Sequence, residues 1–359
     1  MPSLFDPISF MRGPGLKNRF MLAPLTNLQS HIDGALSDDE YNWLTLRAQG
    51  GFGATLTCAS HVQAQGQGFP GQLGCWTDAH LPGLTRLAAG IKAAGSTAYV
   101  QLHHAGMRSP RDLIGPQPVC PSDDTETGSR ALTLAEVEQL REDFIAAAVR
   151  ADRAGFDGVE LHGAHGYILS QFMSSAYNRR EDRYGGSLEN RCRIVYEIID
   201  GIRARCRPDF TLGIRVSPER FGLLLGEMRE IVRGLLHDGR LDFIDLSLWD
   251  VFKEPNEDAF KSKPLVDWFM DLDRRAVKVG VAGRIMDAGT ARRCLEHGAD
   301  FVTIGRAAIL HHDFPERVRA HHDFAAMPLP VSTGHLRAEG LGPAFVGYMK
   351  TWKGFVAEA

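Results

Sequence analysis

One unit recurs along the chain and limits what it can become: a helical pattern closed by glycine, a polar residue or two, then a short apolar run. It is present as QGGFGATLTCAS (49–60), KAAGSTAYVQLHH (92–104), RAGFDGVELHG (153–163), HDGRLDFIDLS (237–247) and EHGADFVTIGR (296–306). Glycine just past a helix supplies the left-handed residue that stops it. Strands apolar on both sides are what a parallel sheet covered on both faces requires. Three further runs, Arg19–Ala23, Leu212–Val216 and Val277–Val281, bring the strands to eight. A repeat of about 45 residues, strand then helix, is the mark of βαβ units. The chain is therefore α/β, and eight strands is the number that closes a single (β/α)8 TIM barrel. Spacing alone leaves an open, doubly wound sheet as the alternative.

Helix starts are well marked. Ser37 to Glu40 and Thr133 to Glu136 have the hydroxyl-to-carboxylate spacing of capping boxes. Val137, Leu140, Phe144, Ala148 and Ala151 form one apolar stripe at three- and four-residue spacing, and Ile194, Ile198 and Ile202 form another after Ser187. Several segments fall outside the repeat. Residues 1–18 are expected as a hairpin-like plug under the barrel. Residues 108–132 are expected as a loop after strand three, and 248–270 as an extended loop after strand six. The polar stretch after strand four runs on to Ser187. The barrel is expected over 1–330 and a C-terminal helical tail over 331–359. The tail's Phe345, Tyr348, Met349, Trp352 and Phe355 would pack on the barrel or on a neighbouring subunit of a homo-oligomer.

Composition excludes several function classes. A net charge of −4 leaves no electrostatic footprint for nucleic acid or an anionic membrane. No apolar run approaches the ~18 residues that span a bilayer. The start, MPSLFDPISFMRGPG, lacks the basic end and apolar centre of a signal peptide. Six cysteines are scattered without a CxxC pair, which suggests reduced thiols and neither a zinc ribbon nor an iron–sulfur ligand set. A soluble, cytoplasmic enzyme is the expectation.

In a barrel the chemistry sits where strands end and the following loops begin. The richest of these ends is FDGVELHGAHGYILSQFMSSAYNRREDRYGGSLENR, residues 156–191, where the run Val159 to Leu161 leads at once into His162, His165 and Tyr167. All three can hydrogen-bond a carbonyl or move a proton. Gly283-Arg284 and Gly305-Arg306 follow strands seven and eight, where barrels bind phosphate. Thr26, Gln101, His162 and Arg215 surround the mouth. A buried Arg at a strand end needs an anionic or electron-rich partner. A flavin meets both demands, its phosphate in the Gly-Arg loops and its N1/O2 edge at Arg215, with the Gln101 amide on the pyrimidine edge. Singly, Thr26 or Gln101 reads as an ordinary strand cap and His162 as a structural histidine. Metal binding by His162 and His165 has no third ligand at a neighbouring strand end, so no metal is expected.

NRFMLAPLT, YVQLHHAG, GFDGVELHGAHGYILSQFMS, NRREDRYGGSLENR and IGRA, in that order, resemble the Old Yellow Enzyme family of FMN-dependent ene-reductases over nearly the whole chain. The resemblance implies FMN as cofactor and NADPH or NADH as reductant. It implies that Ala23, Pro24, Leu25 and Thr26 contact the flavin, that Ala59 contributes backbone, and that Gln101, His162 and Arg215 border the ring. Gly283, Arg284, Gly305 and Arg306 would cradle the phosphate. His162 and His165 would bind the oxygen of an α,β-unsaturated carbonyl or nitro compound. Hydride would come from flavin N5 and a proton from Tyr167. Some members carry Cys at the position of Thr26 and Tyr at that of Leu28, so Leu28 removes one substrate contact. Others insert a tail Arg from a neighbouring subunit, for which Arg337 is the one loose match. Two alternatives are weighed. Relatives such as dienoyl-CoA reductases and trimethylamine dehydrogenase add a cysteine-rich iron–sulfur segment, and the chain stops at Ala359 without one. A phosphate-binding lyase barrel would want a lysine at a strand end.

Overall fold

The computed structural model describes residues 2–357 and closes eight parallel strands into one barrel. The strands are β1 (Phe20–Leu22), β2 (Ala54–His61), β3 (Thr97–His103), β4 (Gly158–Gly163), β5 (Thr211–Val216), β6 (Phe243–Ser247), β7 (Lys278–Ala282) and β8 (Phe301–Ile304). Each pairs with its neighbour in sequence, and β8 returns to β1 through Phe20 opposite Val302 and Leu22 opposite Ile304. That last pairing removes the open-sheet alternative. Every residue of β1, β3, β4, β5 and β8 is buried, as a sheet wrapped by helices demands. Eight helices form the wall: α1 (Asp38–Gln49), α2 (Leu81–Ala93), α3 (Leu134–Arg153), α4 (Leu188–Arg205), α5 (Leu225–Asp238), the single turn α6 (Asp267–Met270), α7 (Ala288–Glu296) and α8 (Phe314–Ala320). The glycines that separate helix from strand do what the repeat predicts: Gly155 has φ +87° and Gly298 has φ +101°.

The two expected capping boxes part ways. Thr133 and Glu136 exchange both bonds. At α1 only half forms, because Ser37 caps Glu40 N while the Glu40 carboxylate turns inward. There it accepts from Ser30 Oγ at 2.6 Å and Asn27 Nδ2 at 3.2 Å, and burial raises its pKa. Two side-chain donors in a dry site outweigh one exposed backbone N–H.

Of the expected plug over 1–18, the described residues 2–18 cover the barrel floor, and residue 1 lies outside the described residues. Ile8 and Leu16 exchange backbone bonds at 3.1 and 2.8 Å. They close over a cluster with Met21, Leu56, Tyr99, Phe243 and Phe301. Phe243 is its centre, with ring centroids 5.6 Å from Phe10 and 5.8 Å from both Tyr99 and Phe301. The 108–132 segment carries more order than expected, a short helix (Arg111–Ile114) and a two-residue ladder, Val119–Cys120 with Arg130–Ala131. The stretch after β4 is also not all loop: Ile168–Met173 is a fully buried helix. Beyond it, Asn178 Nδ2 ties Phe172 O and Tyr184 O, each at 2.7 Å, and Arg191 forks onto Glu227 at 3.0 and 2.6 Å. The Arg–Tyr–Gly–Gly–Ser loop is thus built into the wall.

The tail folds back onto its own barrel. Phe345 meets Trp43 at 4.8 Å, Gly342 N donates to Gln29 Oε1 at 2.8 Å, and Val331 bridges Val356. Arg337 is exposed on the Thr333–Ala338 helix. Among the described residues no helix is long and apolar enough to cross a membrane, and all six cysteines are buried and unpaired.

Phe243→Ala empties the centre of the floor and is expected to lower stability by about 3–5 kcal/mol. Denaturant midpoints would show it; a loss under ~1 kcal/mol would mean that the plug collapses into the gap.

Candidate active site

A cavity of about 450 Å³ opens at the C-terminal ends of the strands. Ala23, Pro24 and Leu25 line it after β1, with Arg215 at the end of β5 and Ser247 at the end of β6. Gly283, Arg284, Gly305 and Arg306 line it after β7 and β8, and His165 reaches it from beyond β4. Thr26, Ala59, Gln101, His162 and Tyr167 do not line this cavity. Ala59 and Gln101 are ladder partners, Gln101 pairs with Glu160, and His162 pairs with Arg215, so these residues form one ring beside it.

The two histidines are joined. His162 Nε2 lies 3.1 Å from His165 Nδ1, and His165 Nε2 lies 2.7 Å from Ser247 Oγ. Arg215 Nη2 donates to the same Ser247 Oγ at 3.3 Å, so guanidinium, hydroxyl and the two imidazoles form one chain. His162 Nδ1 is buried without a partner. Burial holds His165 down at about 3, helped by the charges of Arg215 and Arg108, and it holds His162 well below the usual range. Both rings are neutral at physiological pH. Tyr167 stands beside them, its ring centroid 4.9 Å from His162, 4.3 Å from the buried His103 and 6.3 Å from His165. Burial raises its pKa, so the phenol keeps its proton.

Beneath the mouth lies a charged layer. Arg215 Nε is 3.2 Å from Asp245 Oδ2, yet without hydrogen-bond alignment. Gln101 Nε2 donates to Glu160 Oε1 at 2.7 Å, and Gln101 Oε1 has no partner. Desolvation raises both Glu160 and Asp245, so the layer holds a proton that two exposed carboxylates would release.

Backbone strain concentrates here. His165, Arg220, Phe221, Trp249 and Arg284 all have φ between +50° and +71°, which non-glycine residues adopt only when their surroundings compel it. Gly283, at φ +151°, has no room for a side chain: a Cβ would stand 2.9 Å from Asp250 N. Arg284 reaches Asp250 only at 3.5 Å, and Arg306 is depressed by burial and by Arg284. Two cations this close call for an anion.

Comparisons with known proteins bear on this geometry. A sequence model of the NADH:flavin oxidoreductase / NADH oxidase family matches residues 3–324. The chain belongs to this family, the Old Yellow Enzymes. It is 35% identical to a Bacillus subtilis (strain 168) protein described as a probable NADH-dependent flavin oxidoreductase, YqiG, over 88% of this chain and 87% of that one. It is 34% identical to the NADH:acrylate oxidoreductase of Vibrio harveyi over 86% of this chain, which spans only 32% of that longer protein. The solved structure of the Old Yellow Enzyme homologue from Zymomonas mobilis superposes with a TM-score of 0.80 at 26% identity, covering 97% of this chain and 99% of that one.

An Old Yellow Enzyme uses FMN and takes electrons from NADH or NADPH. The residues present fit FMN. The cavity volume lies within the ~300–1,000 Å³ of cofactor sites. Arg284 and Arg306 await an anion, and the buried Gln101 Oε1 awaits a donor. Sequence reading missed Ser247's link to His165, the Glu160–Asp245 pair, and Trp249, Met286 and Trp352 on the cavity wall. In the tail, Phe345 and Met349 lie in the core, and Trp352 packs against that core while also lining the cavity. An isolated Trp after a helical pattern carries no signal that could have placed it there.

With His165 held at about 3, its imidazole ¹⁵N shifts should keep the neutral pattern from pH 8 to 5. A protonation step near 6.5, the value of a free histidine, would contradict the burial argument. Ser247→Ala should shift the His165 tautomer balance in the same spectra, because Nε2 loses its hydroxyl partner.

Proposed function

We propose that this Old Yellow Enzyme reduces the activated C=C bond of α,β-unsaturated carbonyl or nitro compounds at the expense of NAD(P)H. The observation that carries the reading is the pair His162 Nε2 and His165 Nδ1, face to face at 3.1 Å beside Tyr167. Neutral imidazoles that satisfy each other in the free protein are poised to accept a substrate oxygen between them. Residues Ala23, Pro24, Leu25, Thr26, Ala59, Gln101 and Arg215 would hold the flavin ring, and Gly283, Arg284, Gly305 and Arg306 its phosphate. FMN held there would supply the hydride chemistry that links the nicotinamide to the alkene β-carbon.

The chain's own residues do the rest. Ser247, as donor to His165 Nε2, would leave the His165 proton on Nδ1, where it can donate to the incoming oxygen. His162 adds a second donor from Nε2 when its own proton is carried there. Together they stabilise negative charge on that oxygen as hydride arrives at the β-carbon. Tyr167 then gives the phenol proton to the α-carbon, and burial favours the protonated form it needs. Arg108 Nη1 donates to the His165 carbonyl and fixes the turn that carries the imidazole. Phe221 closes over Gly166, where a Cβ would meet its ring at 3.1 Å, and so locks the segment between His165 and Tyr167.

Two variants test the assignment. Tyr167→Phe should slow reoxidation by an enone by about 10²-fold, the lower range for a general acid, and leave reduction by NAD(P)H intact. Stopped-flow measurement of each half-reaction separates the two, and equal slowing of both would remove Tyr167 as proton donor. His162→Ala should weaken binding of phenolic or enone ligands about tenfold, one hydrogen bond's worth, while the protein stays yellow. Loss of FMN instead would make His162 a cofactor residue.

A further inference from the structure

Beyond the two histidines and Tyr167, the rim carries cations packed on aromatic rings: Arg108, whose Nη1 holds the His165 carbonyl, and Arg220, which this chemistry does not use. Arg108 lies 5.0 Å from the Tyr167 ring and 5.8 Å from the Phe221 ring. Arg220 lies 5.9 Å from the same Phe221 ring and 4.6 Å over Trp249. Both arginines are exposed, and Trp249 is 59% exposed. Among the described residues neither guanidinium has a carboxylate within salt-bridge distance. The two nearby acids are taken: Glu219 by Lys253 and by Asn256 N at 2.7 Å, and Asp250 by Arg284 at 3.5 Å. The protein carries a net charge of −4, so this local excess of positive charge is not an average property of its surface.

The backbone holds Arg220 there at a cost. Arg220 (φ +71°), Phe221 (+53°) and Trp249 (+67°) are left-handed without being glycine, and such residues persist only where the fold over-determines them. A guanidinium stacked on an aromatic face has one side dry and its N–H edges free, the arrangement suited to a phosphate oxygen.

We propose that Arg108 and Arg220, both beside the Phe221 ring, dock the diphosphate of NAD(P)H. The inference rests on the reductase reading above and adds the coenzyme's path. Reductant and substrate must use the same face of the flavin in turn, so the nicotinamide occupies the region of His162, His165 and Tyr167. The remainder of a dinucleotide is too large for a cavity of about 450 Å³ that also holds FMN, and must leave over the rim. The flavin phosphate has its own cations, Arg284 and Arg306, after β7 and β8. Arg108 and Arg220 stand on the substrate side, where a second pair of negative charges would pass.

The test is anaerobic stopped-flow reduction of the FMN-loaded protein by NADH and by 1-benzyl-1,4-dihydronicotinamide, which has the reacting ring and no phosphate. Arg220→Asn suits the left-handed backbone, and Arg220→Lys keeps the charge. The Kd for NADH should rise about tenfold in Arg220→Asn, the scale of one charge-assisted hydrogen bond, with the rate at saturation unchanged. Arg220→Lys should recover part of the loss. Added salt should weaken NADH binding to the wild type more than to Arg220→Asn. The benzyl compound should reduce all three proteins alike. Unchanged NADH binding in Arg220→Asn, or equal losses with both reductants, would overturn the proposal. So would a defect confined to reoxidation by carboxylate-bearing alkenes, since the anion would then belong to the substrate. If neither reductant bleaches the wild-type flavin, the reductase reading itself falls and takes this one with it.

Discussion

Arg215 is a full positive charge held inside a barrel, and the mouth is organised around the need to answer it. Taking such a charge out of water costs several kcal/mol unless partners surround it. Asp245 lies at 3.2 Å and Glu160 sits one strand over, both 1% exposed. Two carboxylates against one guanidinium would leave an excess negative charge in the dry interior. Their raised pKa values relieve it through a retained proton. The Arg215 fork then extends upward through Ser247 to His165 and on to His162. A charge buried in β5 is thereby linked through one hydroxyl to an imidazole in the loop after β4.

The second constraint is steric. Five of the non-glycine residues in left-handed conformation lie around the mouth, whereas Leu28 and Arg275 lie elsewhere among those described. Three of the five are pinned by named contacts: His165 by Arg108 at its carbonyl, Phe221 by its packing on Gly166, and Trp249 by the close approach of Gly283. Side chains on strained loops over a closed barrel can be aimed without loosening the scaffold, because the floor plug and the helices carry the stability. Strands hold the charged layer in register, and loops carry the groups that meet ligand.

How much of this could be read beforehand follows from what each feature depends on. The strands were legible because a parallel sheet covered on both faces leaves an apolar run bounded by glycine, a local signal. The positions of His162, His165, Arg215, Arg284 and Arg306 were legible once the strand ends were known. Features that depend on distant contacts were not. Ser247 meets His165 across 82 residues of chain, Trp352 reaches the cavity from the tail, and Glu40 leaves its capping position for Asn27 and Ser30. The Ile168–Met173 helix was hidden by the polar residues that follow it, and its burial is set by α4 and β4 packing around it. Thr26, Ala59, Gln101, His162 and Tyr167 were placed at the mouth but stand beside the open cavity, a distinction of a few ångströms that strand periodicity cannot resolve.

The central claim is that His162 and His165 form a closed pair that opens to receive an oxygen. A crystal structure of the FMN-loaded protein with a bound phenol or enone tests it most directly. The account predicts a ligand oxygen within hydrogen-bond distance of both His162 Nε2 and His165 Nδ1, and a gap between those atoms wider than 3.1 Å. A pair still closed at that distance, with the ligand oxygen bound elsewhere, would contradict it.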